Sequence, residues 1–371
     1  MPIKVWDYLE EYETERDDII EGIEKVFRSG RLILGESVKN FEDAFSSYCR
    51  VKHGIGIDNA TNGIFLSLKA LGIGNGDEVI TVSNTAVPSV AAIVAAGATP
   101  CFVDIERETY LMNTTQLESS ITEKTRCILP VHLFGQCADM DSLLKVAKKY
   151  NCFVVEDCAQ AHGATYKGRK SGSMSDLGVF SFYPTKPLGG YGDGGMIITN
   201  NDALDAKLRR LRFYGMESVY YSEENGYNSR LDEVHAEILF RKLKRLDQYI
   251  ARRRALASRY DEILKSTSLV LPKTLDGNEH VYYIYVCRHP NRDHIINELK
   301  KYDIFVNISY PWPIHTMRGY QYLEYAEGDL PETELAAKEI FSLPMYPMLS
   351  YESQDKVCLT LGEILGENVN L

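Results

Sequence analysis

The sequence predicts an α/β protein built round a mainly parallel sheet, and three observations carry that reading. Short apolar runs between residues 77 and 200 (EVITV, PCFVDI, CILPVHLF, FVVED, GVFSF and GMIITN) alternate with helical stretches such as SVAAIVAAG and MDSLLKVAKKY. The 371 residues suffice for one large and one small domain, each with its own core. Apolar content of 44% and charged content of 25% are those of a soluble globular enzyme.

Taken in order, the N-terminus MPIKVWDYLEEYETERDD is acidic and has no apolar signal region. Residues 14–30 predict a first helix ending near Ser29 and Gly30. In GRLILGESVKNFEDAFSSYC, Gly35 marks a turn, and Val38, Phe41 and Phe45 share a helical face. Gly54–Ile57 predicts a short strand. Asn59 to Gly63 then opens an amphipathic helix carrying Ile64, Leu66, Leu68 and Leu71. Free N–H groups at such a start can hold an anion, or be capped by Asn59 or Thr61.

The most apolar window, VPSVAAIVAAGATPCFV, is broken by Pro88, Gly97 and Pro100. It reads as a core helix, a turn and a strand rather than a membrane span. GIGNGDE follows a helix, and GGYGDGG lacks the GK[ST] ending, so neither is a nucleotide-binding glycine loop. Residues 202–213 form a basic helix, followed by the tyrosine-rich loop from Tyr214 to Arg230. Residues 232–265 read as one long helix. HVYYIYVCRHP predicts a strand, DHIINELKKY a helix and DIFVNISYP a further strand-like run. The expected division is a large domain over 1–250 and a small one over 251–371.

A formal charge of −11 argues against nucleic acid as the main partner. Eight scattered cysteines without a CxxC pair suggest reduced thiols in a cytoplasmic protein. Cys152, Asp157, Cys158 and His162 fit no compact zinc spacing, and no metal is expected.

The chemistry concentrates in Glu156 to Asn200. Asp157 ends one apolar run and Gln160 follows it. Ser181 ends another, and Lys186 lies in the polar turn beyond. Strand, acid, strand, lysine is the order expected of a pyridoxal phosphate site. A buried carboxylate can keep the pyridine nitrogen protonated so that the ring takes up electrons. An amine at the second strand end can form a Schiff base and later move a proton. Alone, such a lysine is usually solvated and such an aspartate usually caps a helix. The combination with the helix opening at Asn59 carries the argument.

These motifs together resemble the DegT/DnrJ/EryC1/StrS aminotransferases, which act mostly on nucleotide-linked keto-sugars. The likeness runs from GRLILGESVKNFEDAF through DNATNGIFLSLKALGIGNGDEVITVSNT, EDCAQAHGA, SFYPTKPLGGYGDGGMI and GYNSRLDEVHAEILFRKLKRLD to YPWPIH. It implies fold type I, the aspartate-aminotransferase-like fold, and a homodimer. It makes Lys186 the Schiff-base lysine, with Asp157 on the pyridinium nitrogen and Gln160 near the 3-oxygen. Ala60, Thr61 and Ser181 would hold the phosphate, with Asn62 near them and Asn228 reaching it from the partner subunit. Tyr183, Tyr310 and His315 would meet the substrate. The chain departs from the family pattern at Ala60, often glycine; at Ala86, often an aromatic residue that stacks on the ring; and at Tyr214, often histidine. Some relatives replace the lysine by histidine and become dehydratases; retention of Lys186 favours transamination.

The expected reaction moves an amino group from L-glutamate to the keto group of a nucleotide-linked deoxysugar. Two alternatives stand beside it. One is a same-fold aminotransferase acting on a small keto-phosphate or a cyclitol, for which Ala86 and Tyr214 leave room. The other is a non-catalytic regulatory protein, against which the intact Lys186, Asp157 and Ser181 set weighs.

Overall fold

In the computed structural model, residues 2–218 and 220–371 are described. The main sheet has seven strands: β1 (His53–Ile57), β2 (Glu78–Val82), β3 (Thr99–Val103), β4 (Thr125–Ile128), β5 (Phe153–Asp157), β6 (Leu177–Ser181) and β7 (Gly195–Thr199). Their spatial order is β1-β7-β6-β5-β4-β2-β3. Neighbours run parallel except at β7, which is antiparallel to both β1 and β6. Strands β6 and β7 are buried at every residue, which is why GVFSF and GMIIT read as unbroken apolar runs. Ser181 pairs with Gly195, so both ends of the loop carrying Lys186 are fixed in the sheet.

Helix α1 (Leu9–Ser29) starts earlier than the apolar pattern indicated, with Glu10 and Glu11 favourably placed in its first turn. The N-terminus of α2 (Glu36–Cys49) is received by the buried Glu233. Its Oε1 accepts from the amides of Gly35 (2.6 Å) and Val38 (3.0 Å), and its Oε2 from that of Ser37 (2.9 Å). A Cβ at Gly35 would lie 2.9 Å from that carboxylate, so the turn there requires glycine. Helices α3 (Ala60–Ala70), α4 (Val87–Ala95), α5 (Met140–Tyr150) and α6 (Asp202–Leu211) follow the strands as the alternation predicted.

The expected single helix over 232–265 is two, α7 (Glu233–Leu243) and α8 (Leu246–Leu264). No glycine or proline marks the break. Tertiary contacts set it: Arg241 and Arg245 both reach Asp18 on α1, each at 2.6 Å. The run HVYYIYVCRHP is a strand only over β8 (Tyr285–Arg288). DIFVNISYP is not a strand; it makes single bridges at Ile304 and Asn307. The partner of β8 is β9 (Ile340–Leu343), which the sequence reading missed. Helices α9 (Arg292–Lys301), α10 (Pro331–Glu339) and α11 (Tyr351–Leu365) complete the C-terminal part.

Two main apolar cores result. Residue 250 falls inside α8, with Ile250 in the first core and Leu256 in the second. Ile3 belongs to the second core and bridges Ile304, so the N-terminal end packs on the C-terminal unit. Among the described residues no helix is long and apolar enough to cross a membrane.

Candidate active site

A cavity of about 270 Å³ opens at the carboxyl ends of β5 and β6, where ligands bind in parallel sheets. Ala60, Thr61, Ala86, Asp157, Gln160, Ser181, Tyr183 and Lys186 all line it. The Asp157 carboxylate is 4% exposed. Its Oδ2 accepts from the Ser89 hydroxyl at 2.6 Å and its Oδ1 from the amide of Ala159 at 3.1 Å. Each oxygen keeps a lone pair for another donor. Ser89, on α4, was read only as part of a small-residue core helix.

Gln160 is held at both ends of its amide. Its Oε1 accepts from the amide of Phe134 (2.8 Å) and its Nε2 donates to the Tyr310 hydroxyl (2.5 Å). Lys186 Nζ lies 4.6 Å from the centroid of the Tyr283 ring. The Tyr283 hydroxyl is 2.9 Å from Thr185 Oγ1, and Arg253 Nη1 donates to its backbone carbonyl at 3.1 Å. Tyr283 sits just before β8, and no local pattern marks its approach to Lys186.

At the other end lies the start of α3. Asn59 Oδ1 accepts from the amide of Asn62 at 2.8 Å, so capping uses that donor. The Asn62 side chain donates to Asp58 at 2.7 Å, and Asn62 does not line the cavity. Ala60 and Thr61 do, and their amides have no acceptor one turn back within the helix. A Cβ at Gly195 would stand 3.0 Å from the Ala60 nitrogen, so glycine lets β7 approach this helix start.

Other expected residues lie elsewhere. His315 is fully buried in a different place, with Nδ1 2.8 Å from Ser83 Oγ and Nε2 3.2 Å from Glu334. Both its nitrogens are engaged there, and it does not line the cavity of Lys186. Asn228 is exposed and pairs with Phe213 in an antiparallel bridge. It does not cap α7, whose N-cap position is Asp232. Tyr214 is 44% exposed, with the Arg230 guanidinium 5.4 Å from its ring centroid. His132, Glu156 and Cys158 converge as metal ligands might, but the Glu156 carboxylate is already engaged. It accepts from Gly172, Met174 and Ser175 and meets His132 Nε2 at 2.8 Å.

The chain matches the profile of the DegT/DnrJ/EryC1/StrS aminotransferase family over residues 13–362. It belongs to that family. As a DegT/DnrJ/EryC1/StrS protein, it is a transaminase of the pyridoxal phosphate fold, and pyridoxal phosphate is its cofactor. The chain is similar to the dTDP-3-amino-3,4,6-trideoxy-alpha-D-glucose transaminase of Micromonospora megalomicea subsp. nigra. The identity is 55%, over 98% of this chain and 99% of the relative. A pleiotropic regulatory protein of Geobacillus stearothermophilus is 44% identical, over 98% of each chain. Among solved structures, S. venezuelae DesV in complex with a ketimine intermediate has a TM-score of 0.97 at 38% identity, covering 99% of each chain. The cavity suits the family's cofactor: it offers unpaired amides and a hydroxyl at one end, a buried carboxylate at the other, and an amine between its walls.

Proposed function

We propose that this protein transfers the amino group of L-glutamate to the keto carbon of a dTDP-linked deoxyhexose, as a cytoplasmic homodimer. The observation that carries the reading is the convergence of Lys186 and Asp157 on one cavity with the start of α3. The sugar and its nucleotide rest on the similarity to transaminases named for dTDP-3-amino sugars. In this reading Asp157 holds the cofactor's ring nitrogen and Gln160 lies near its 3-oxygen. Ala60, Thr61 and Ser181 hold its phosphate, with Asn228 of the second subunit. Bound there, pyridoxal phosphate supplies an aldehyde carbon and a ring that accepts an electron pair.

The residues of the chain do the rest. Lys186 anchors the resting cofactor, is displaced by the amino donor, and then takes the proton from the donor's α-carbon through Nζ. Tyr283 sets where that amine rests. Ser89 fixes one oxygen of Asp157, so the carboxylate is oriented before any ligand arrives. The Tyr310 hydroxyl and the Phe134 amide fix the Gln160 amide in the same way.

The test is the two half-reactions taken separately. Purified protein carrying the cofactor should change its absorbance on adding L-glutamate and regain the first spectrum on adding a dTDP-3-keto-6-deoxyhexose. A protein that responds to glutamate but passes its amino group only to small keto-phosphates or cyclitols would refute the sugar-nucleotide reading. One that stays spectrally silent with every amino donor would refute the donor step.

A further inference from the structure

Lys186 lines a second cavity, also of about 270 Å³. Single small-ligand pockets span about 300–1,000 Å³. Each cavity alone falls just below that range, so a cofactor and a hexose together call for both. A ligand in the second can still meet Lys186.

The walls of this second cavity have a definite chemistry. Trp6 and Tyr8 stack at 5.3 Å between ring centroids and 26° between planes, and Tyr191 meets Tyr8 edge-on at 6.2 Å. Lys242 is 6% exposed and stands 2.6 Å from Glu11 Oε1, 3.2 Å from Glu15 Oε2 and 5.2 Å from the centroid of Tyr191. The aromatic faces thus adjoin one ammonium and one carboxylate at the same opening. Glu15 is fully buried behind them, and its other oxygen accepts from Tyr249 at 2.7 Å. Arg253 forms a further wall, its Nη1 spent on the backbone carbonyls of Tyr283 and Met345.

A pyranose ring presents apolar C–H faces and a rim of hydroxyls. The faces suit flat aromatic walls, and the hydroxyls can donate to a carboxylate and accept from an ammonium. A simple anion would find Lys242 already neutralised by two carboxylates. A nucleobase would use the rings but leave the paired charges without a role. We infer that this cavity seats the hexose ring of the acceptor, with Tyr191 against its face and Glu11 and Lys242 at its hydroxyls. The inference rests on the proposed sugar-nucleotide reaction and adds where the sugar lies.

The test compares dTDP-glucose, which has no keto group to react, with dTDP alone. Both are titrated calorimetrically into the protein loaded with its cofactor. Wild type should bind dTDP-glucose about tenfold more tightly than dTDP. Tyr191→Ala and Glu11→Gln should each lose most of that difference while keeping the wild-type Kd for dTDP. Cofactor absorbance and Tm check that each variant is folded. Should Tyr191→Ala fail to fold, Glu11→Gln and Tyr191→Phe carry the comparison, Tyr191→Phe keeping the aromatic face and the preference. A folded Glu11→Gln or Tyr191→Ala that keeps the wild-type preference, or a wild type that binds the two ligands equally, would overturn the hexose seat and leave the proposed reaction standing. A wild type that binds neither would overturn the sugar-nucleotide reading, and the seat with it.

Discussion

The Ser89 hydroxyl donates a 2.6 Å hydrogen bond to Oδ2 of Asp157, and both side chains are almost wholly buried. Removing the hydroxyl takes a charge-assisted bond from a carboxylate that is almost wholly buried. Ser89→Ala should cost about 1–3 kcal/mol of stability and lower kcat about tenfold or more. Urea unfolding and steady-state kinetics measure the two effects. An unchanged kcat would mean that Asp157 is oriented without Ser89.

Lys186→Ala should leave a folded protein that still binds pyridoxal phosphate, because the proposed phosphate and ring contacts come from other residues. Turnover should fall at least about 1,000-fold, within the range a positioned proton-transfer group contributes. Borohydride reduction followed by peptide mass analysis should find the cofactor on the Lys186 peptide of wild type and on no peptide of the variant. Label recovered on another lysine of wild type would reassign the anchor.

The strands that end at Asp157 and Ser181 were legible because each is a buried apolar run closed by a polar residue, a purely local signal. The start of α3 was legible for the same reason. What escaped was set by tertiary contact. Ser89 looks like any small core residue until the fold brings the start of α4 beside the end of β5. Tyr283 lies in an apolar stretch whose fold depends on the carbonyls that Arg253 gathers. Strand β9 is four residues following directly on α10, too short to show a period of its own. The break between α7 and α8 has no breaker residue, since Asp18 on a distant helix decides it.

Acid should destabilise the protein partly through two histidines. Burial, and then the nearby Lys186 charge, depress His162 to about 3. Burial and Arg254 depress His280 to about 3. Both rings stay neutral in the folded protein, while the unfolded chain takes up protons below about 6.5. Stability is therefore lost as pH falls from about 6.5 towards 3, by about 1.4 kcal/mol per pH unit for each ring. His162 packs among Phe45, Phe180 and Phe182, so His162→Phe should fit and remove its share of the slope. Urea midpoints between pH 7 and pH 4 measure this, and an equal slope in wild type and variant would discount His162.

The proposed cross-subunit role of Asn228 has its own test. Tyr220 is 94% exposed and Tyr221 62%, free to meet a second chain, whereas Tyr227 packs on Phe65 of its own chain at 4.7 Å. Lys186→Ala and Asn228→Asp chains should each be inactive, the second because its added charge repels the phosphate. Once mixed and re-paired at random, they should recover up to about a quarter of wild-type activity, from mixed dimers with one intact site. No recovery, with subunit exchange verified, would place both residues in one chain's site.

Ile3 sits in the C-terminal core against Ile304, which makes the beginning of the chain wait for its end. A ribosome adding about 5–20 residues per second needs roughly 15–60 seconds to make the intervening stretch of about 300 residues. For that time the main sheet can form while Ile3 has nothing to pack on, and the wall that Trp6 and Tyr8 lend to the second cavity lacks that anchor. Late translation, rather than assembly of the sheet, then sets when a nascent chain can close that cavity. A tag fused directly before Pro2 would burden this final step more than one fused after Leu371.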